Sequence, residues 1–231
     1  MGMTWADFRF LMDRGTGLAQ RGMTSLRTRG LQATWQRVLR QFHRVPMSQR
    51  MALYLPEPAA FAPFAVPHHA TPRASIVIPV YNQFAHTLNC LRALAEYAPQ
   101  STIEIIVVDD GSSDETEASL AQVQGLRYHR RAVNGGFIAA CNDGASLARG
   151  EYLVFLNNDT VPQPGWLDAL LDTFVRHPGT GLAGAQLIYP DGRLQEAGGI
   201  VFADGGGSNY GRFGGPDDPR YTYVPEADYS S

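Results

Sequence analysis

Apolar and polar positions alternate in blocks through the middle of the chain, and the blocks predict strands and helices in turn. Ser75-Ile-Val-Ile-Pro-Val80 is a continuous apolar run of the kind a strand shows when both of its faces are buried. Residues 103–108, 126–129 and 151–156 predict three further strands. Between and after them lie helical patterns: one with Leu88, Leu91 and Ala95 on a single face, one running to Leu120 behind a Ser113 or Asp114 cap, an alanine-rich one to Leu147, and one over 166–175. Strand and helix in alternation are the signature of a parallel sheet with crossover helices, so the fold class is α/β. Beyond Leu182 the texture changes to glycine-rich β segments, 182–189 and 199–202, and no internal repeat is present.

The front of the chain reads differently. Trp5, Phe8, Leu11 and Met12 form one apolar stripe and Leu31, Trp35, Val38, Leu39 and Phe42 a second, which predicts two amphipathic helices separated by glycines. Prolines then crowd the sequence up to Pro72. The organisation expected is a helical extension over 1–50, a proline-rich linker over 51–73 and an α/β domain over 74–231.

Charge sharpens that division. The net charge of −3 hides nine Arg against Asp7 and Asp13 in residues 1–50, a balance of +7 that leaves −10 for the rest. An acidic domain is a poor general binder of nucleic acid, so none is expected as a partner. Three roles suit the basic extension: packing on a folded domain, peripheral contact with an anionic membrane surface, or a protein partner. No apolar stretch is long enough to span a bilayer, and Arg9 and Arg14 interrupt the first apolar segment where a secretory signal needs a continuous one. A cytoplasmic protein is expected, with the inner membrane face as a peripheral site. Cys90 and Cys141 sit in apolar helical patterns and read as buried free thiols, and the six His show no metal-ligand spacing.

Candidate chemistry falls where ligands bind in such sheets, beyond the carboxyl ends of the strands. Strand one ends in Pro79-Val-Tyr81-Asn82, strand two in Asp109-Asp110-Gly111-Ser112, strand four in Asn157-Asn158-Asp159. Each cluster has a plain reading as a turn or helix cap. Its functional reading is that a strand-end carboxylate accepts from a nucleobase or ribose, with Gly111 admitting a close backbone. Asp159 can hold a hard cation, because magnesium on a diphosphate takes only one or two protein carboxylates. Asn134-Gly135-Gly136 before a helix suits phosphate binding and tight turns alike.

These motifs, Ser75-Ile-Val-Ile-Pro-Val-Tyr-Asn82, Val107-Val-Asp-Asp-Gly-Ser-Ser-Asp114, Asn134-Gly-Gly-Phe137 with Asn142, and Gly150-Glu-Tyr-Leu-Val-Phe-Leu-Asn-Asn-Asp159, resemble those of family 2 glycosyltransferases of GT-A fold. The rhamnosyltransferase-like enzymes of bacterial surface polysaccharide assembly are the members they resemble most. The resemblance covers residues 74–231 and implies a Rossmann-like, mostly parallel sheet flanked by helices that binds a nucleoside-diphosphate sugar. It implies that Pro79, Tyr81 and Asn82 line the nucleotide pocket, that Asp110 with Gly111 reads the base, and that Asn134, Gly135, Gly136, Asn142 and Asn158 lie near the ribose and diphosphate. It further implies a divalent metal, Mg or Mn, on the diphosphate. The first Asp of the family's Asp-x-Asp is Asn157 here, so Asp159 is the main ligand and Asn157 its companion.

The implied reaction is transfer with inversion to a hydroxyl of a saccharide or lipid-linked acceptor. The family's catalytic base, however, lies in an acidic motif downstream of Asp228-Tyr-Ser-Ser231. Glu196, Asp204, Asp217, Asp218, Glu226 and Asp228 are outside such a motif and read as solvated loop charges, so no catalytic residue is assigned. The resemblance therefore implies the front portion of an enzyme, incomplete toward its C-terminus. The alternatives are a nucleotide-sugar-binding module that does not transfer, and a sugar nucleotidyltransferase, which would want a glycine-rich basic loop where Pro79-Val-Tyr-Asn82 stands.

Overall fold

The computed structural model describes residues 52–57, 59–203 and 205–222. The helices expected within 1–50 lie outside the described residues. The chain forms two compact units, one of residues 53–183 and one that includes 184–222.

In the first unit, β1 (Ala74–Val80) and β2 (Ile103–Asp109) are buried at every position, as their mostly apolar sequences require, with Ser75, Glu104 and Asp109 buried among the apolar residues. They pair in parallel, with β3 (Leu126–Arg130) beyond β2 and β4 (Tyr152–Phe155) beyond β1, giving the sheet order β3-β2-β1-β4. The connections are α1 (Phe84–Glu96), α2 (Thr116–Leu120) and α3 (Phe137–Leu147), and α4 (Trp166–Arg176) follows β4. The α/β class, a mostly parallel sheet with flanking helices, is thus as expected.

Side-chain alternation divides the core between the two sheet faces. Ile76, Ile78, Val80, Ile103, Ile105 and Val107 meet Leu88, Leu91 and Leu94 of α1 and Leu167 and Leu171 of α4 on one face. Val77, Ile106 and Val108 meet Ala140 of α3 on the other, with Leu147 alongside. Each fully buried Ile or Leu contributes roughly 1.5–3 kcal/mol. Close seating of α3 depends on Gly144, where a Cβ would overlap the Val77 side chain and lie 3.1 Å from Val108 Cγ2. Cys90 and Cys141 are buried free thiols within these layers.

The proline-rich residues contribute to this unit without forming helices. Ala65 bridges Gln124, Val66 is buried in the first core, and Phe61 and Phe64 pack against it. Gln163 grips the backbone of Tyr54 on both sides, accepting from its N–H at 2.8 Å and donating to its carbonyl at 3.0 Å. His69 is held to the first residue of β2, its Nδ1 accepting from the Ile103 N–H at 3.0 Å.

At the amino ends of the strands a buried charge ties all four together. Glu104 of β2 accepts from Ser75 Oγ of β1 at 2.6 Å, from Arg127 of β3 at 2.5 Å and from the Arg149 N–H ahead of β4 at 2.8 Å. Arg127 also donates to the Leu147 carbonyl that ends α3, at 2.8 Å.

The second unit is small and antiparallel. β5 (Leu187–Ile188) pairs β6 (Leu194–Glu196), β7 (Gly199–Val201) pairs β8 (Gly207–Asn209), and α5 (Pro219–Thr222) follows. The β segment expected from Leu182 is confined to Leu187–Ile188, where β6 supplies a pairing partner. Glu196 is also a correction: it lies on the inward face of β6 beside buried Leu194 and is itself 2% exposed, so it is not a solvated loop charge. No helix among the described residues is long and apolar enough to cross a membrane.

Candidate functional site

The carboxyl ends of β1 and β2 are stitched into one rim. Pro79 is buried opposite Val108, whereas Tyr81 is 54% exposed. Asn82 and Gln83 both take left-handed backbone angles, φ 55° and 59°, a sparsely populated region for residues other than glycine. Their conformation is held by the second turn: the Asn82 N–H donates to Ser112 Oγ at 2.7 Å and Asn82 Oδ1 accepts from the Ser113 N–H at 2.8 Å. Asp114 then serves two helix starts, accepting from the Phe84 N–H of α1 and the Thr116 N–H of α2, each at 3.1 Å. Asp114 thus bonds the first residue of each helix from outside it; Glu115, and neither Ser113 nor Asp114 as expected, stands at the N-cap of α2, which begins at Thr116.

The two adjacent aspartates have opposite surroundings because strand alternation sends them to opposite faces. Asp109 is fully buried and accepts from the Ser112 N–H at 2.8 Å, from Tyr128 Oη at 2.5 Å and from Arg130 at 2.5 Å, so it pins the turn and β3. Asp110, 3% exposed, turns to the loop before α3. Its Oδ1 accepts from Arg131 Nη1 and from the Gly135 N–H at 2.9 Å, and its Oδ2 accepts from the Gly136 N–H at 2.7 Å. Arg131 Nε reaches on to Asp143 Oδ2 of α3 at 2.6 Å. Burial pushes the Asp110 carboxyl up, but the two amides and the guanidinium outweigh it and hold the group below its usual range. The same contest, with Ser112, Tyr128 and Arg130 as donors, lowers Asp109.

The third cluster is anchored elsewhere. Beyond β4, Asn158 Nδ2 donates to Thr87 Oγ1 of α1 at 3.0 Å, and Thr160 is hydrogen-bonded to the Asn157 carbonyl at 2.6 Å. Asp159 stands near Cys90 of the same helix; burial first, and this carboxylate in addition, push the Cys90 thiol up to about 12, against the Thr160 hydroxyl. Asn157 and Asp159 are exposed, and among the described residues no donor meets the Asp159 carboxylate. These two oxygen-bearing side chains suit a hard cation whose remaining ligands come from phosphate and water. No group of three His, Cys, Asp or Glu among the described residues could hold a metal by itself.

The structure thus brings Asn82, Asp110, Gly111, Asn134, Gly135 and Gly136 into one connected turn system, with Gly111 at φ 81° and Asn134 Oδ1 accepting from the Gly136 N–H at 3.2 Å. Asn142 is exposed on α3 and Tyr81 at the rim. Asn157, Asn158 and Asp159 share the carboxyl edge of the sheet but join no hydrogen bond with the Asp110 cluster among the described residues. Sequence reasoning missed Arg130 and Arg131. The signal was available, since a basic pair closes the third strand and the strand-end rule used for the other three applies there too.

Residues 75–220 match the family described as glycosyl transferase family 2, and the chain belongs to that family. Glycosyltransferase AglE of Haloferax volcanii is 33% identical over 129 residues, 52% of this chain and 42% of AglE. The O-antigen biosynthesis protein RfbC of Myxococcus xanthus is 35% identical over 143 residues, 58% of this chain and 11% of RfbC. The mannosyltransferase PcManGT of Pyrobaculum calidifontis, solved with GDP-Man and Mn2+, is similar at 22% identity and a TM-score of 0.44, over 58% of this chain and 40% of its own. The chain spans less than half the length of the two curated relatives it matches here.

Proposed function

We propose that this chain binds a nucleoside-diphosphate sugar at the carboxyl edge of its parallel sheet and serves an inverting glycosyltransferase. The observation that carries the reading is convergence: β1, β2 and β4 each deliver a polar turn to that one edge, in a chain of family 2. In this reading Pro79, Tyr81 and Asn82 wall the nucleotide pocket, and Asp110, Gly111, Asn134, Gly135, Gly136, Asn142 and Asn158 shape the space for base, ribose and diphosphate. Asp159, with Asn157, holds Mg or Mn on the diphosphate. When bound, the ion neutralises charge that builds on the leaving group. The chain's own part is to bind the donor, fix its orientation and present the anomeric carbon to an acceptor hydroxyl. We assign no residue as the base that deprotonates that hydroxyl. A saccharide or lipid-linked acceptor in surface polysaccharide assembly is supported by the likeness to RfbC, named for O-antigen biosynthesis.

Calorimetric titration of the chain with UDP, GDP, dTDP and CDP, each with MgCl2 or MnCl2, tests the donor site. Saturable binding of at least one is expected, and binding of none sinks the reading. Incubation with the matching nucleotide sugar and a polyprenyl-linked saccharide then separates transfer from binding alone.

A further inference from the structure

The turns that follow β2 and β4 share no hydrogen bond among the described residues, yet the first turn of α1 holds both. The Phe84 N–H donates to Asp114 Oδ2 at 3.1 Å, and three residues on, Thr87 Oγ1 accepts from Asn158 Nδ2 at 3.0 Å. Thr87 is fully buried and is the one oxygen-bearing side chain on the buried face of α1, among Phe84, Leu88, Leu91 and Leu94. A hydroxyl there breaks the apolar pattern and carries a desolvation penalty unless it is paired; Asn158 supplies the partner. On the loop side, exposure alternates residue by residue from Tyr152 to Thr160. Tyr152, Val154 and Leu156 pack on the core that α1 shares, and Asn158 and Thr160 continue the inward series, with Thr87 and the buried Cys90 thiol as their neighbours. Asn157 and Asp159 fall on the exposed positions. Thr160 closes the turn onto the Asn157 carbonyl with both its N–H, at 3.2 Å, and its hydroxyl, at 2.6 Å.

From this geometry we infer that Thr87 is a positioning residue: by holding Asn158 it seats residues 157–160 on α1 so that Asn157 and Asp159 stay exposed together, as ligands for the cation on the diphosphate. The inference rests on the donor-binding reading above and adds to it a residue from outside the strand-end motifs. Because Asp114 is bonded to the same helical turn, Thr87 also sets the metal-side loop relative to the turn that carries Asp110. The bond uses Asn158 Nδ2 and is compatible with a donor contact from Asn158 Oδ1. Magnesium demands near-ideal octahedral geometry, so a ligand on a loosened loop binds it less well. Groups that orient metal ligands from behind typically change metal affinity by about 10–100-fold when they are lost.

Two measurements on the full chain decide it, with Thr87→Val removing the hydroxyl at nearly constant shape and Thr87→Ser keeping it. The first needs no ligand: NMR order parameters of the Asn158, Asp159 and Thr160 amides. Wild type and Thr87→Ser are expected near the rigid-backbone value of about 0.85, and Thr87→Val to fall toward about 0.6, while β1 amides stay rigid in all three as a control for folding. The second is the affinity for UDP, GDP, dTDP and CDP, each in MgCl2 and in EDTA. The gain that MgCl2 brings is expected to shrink about tenfold or more in Thr87→Val and to stay within about twofold of wild type in Thr87→Ser, with the three proteins alike in EDTA. Unchanged order parameters in Thr87→Val overturn the inference, and so does a metal-dependent gain equal to that of wild type. An equal loss in Thr87→Ser also overturns it, because the bond is then not what the loop depends on. Should wild type bind none of the four nucleotides, the donor reading falls, and the order parameters still decide whether Thr87 seats the loop.

Discussion

Gly135 shows how much of the site hangs on a missing side chain. Its backbone conformation is one that alanine tolerates, since it is absent from the positive-φ glycines, so the cost of Gly135→Ala lies in the collision with the Arg131 guanidinium. The guanidinium must leave Asp110, Asp143 or both, which forfeits charge-assisted bonds worth roughly 1–3 kcal/mol. Urea denaturation is expected to show a loss of that size for Gly135→Ala in the wild-type background and almost none in an Arg131→Ala background, because the two residues act on one contact. Equal losses in both backgrounds would mean that the methyl group strains something other than the guanidinium. Arg131 itself illustrates what a one-dimensional reading misses. Its basic neighbour Arg130 pairs Asp109 while Arg131 pairs Asp110, and only the alternation of β2 meeting the exit of β3 distributes them in that way.

At the scale of elements, the parallel sheet was legible because burial on both faces forces continuous apolar runs, and β1 and β2 fall within a residue of their expected limits. What could not be read were the polar residues that set register. Glu104 lies in an apolar strand, where nothing local says whether it faces water or, as here, Ser75, Arg127 and the Arg149 N–H. The small β5–β6 and β7–β8 pairs were only partly legible for a related reason: two- and three-residue strands carry no period, and their partners define them. The register-setting carboxylates also make a pH signature. Glu104, Asp109, Asp110 and Asp114 all face burial, which raises them, yet their hydrogen bonds prevail and lower each below its ordinary value. A lowered folded value means stability that is complete above the unfolded value, near pH 4, and that is lost as pH falls through the folded one. Thermal or urea unfolding is expected to be flat from pH 7 to about 5 and to weaken steeply below about 4, with a shallower acid limb in Glu104→Gln, which has one titrating carboxyl fewer. A limb of unchanged slope in that variant would place the acid sensitivity outside the amino-end network.

For the molecule as a whole, the division of labour runs along the strand axis. The amino ends of the sheet carry the buried Glu104 network, in which both carboxylate oxygens are hydrogen-bonded, whereas the carboxyl ends carry a graded rim. Within that rim Asp109 is buried under three donors, Asp110 accepts from Arg131 and the Gly135 and Gly136 amides, and Asp159 is exposed and without a donor among the described residues. A carboxylate that takes part in no internal bond is stable to lose, and so its replacement separates function from folding in a way that replacement of Asp109 or Asp110 cannot. Asp159→Ala is therefore expected to leave the free energy of unfolding within about 0.5 kcal/mol of wild type, as for other surface substitutions. If the ion bridges protein and diphosphate, the same variant loses the increment in nucleoside-diphosphate affinity that MgCl2 or MnCl2 brings, while its affinity in EDTA stays that of wild type. Comparing the four titrations, wild type and variant with and without metal, isolates the coupling between Asp159 and the ion. An equal metal-dependent gain in both proteins would remove Asp159 from the metal site and leave the exposed pair of Asn157 and Asp159 as a loop docked on α1.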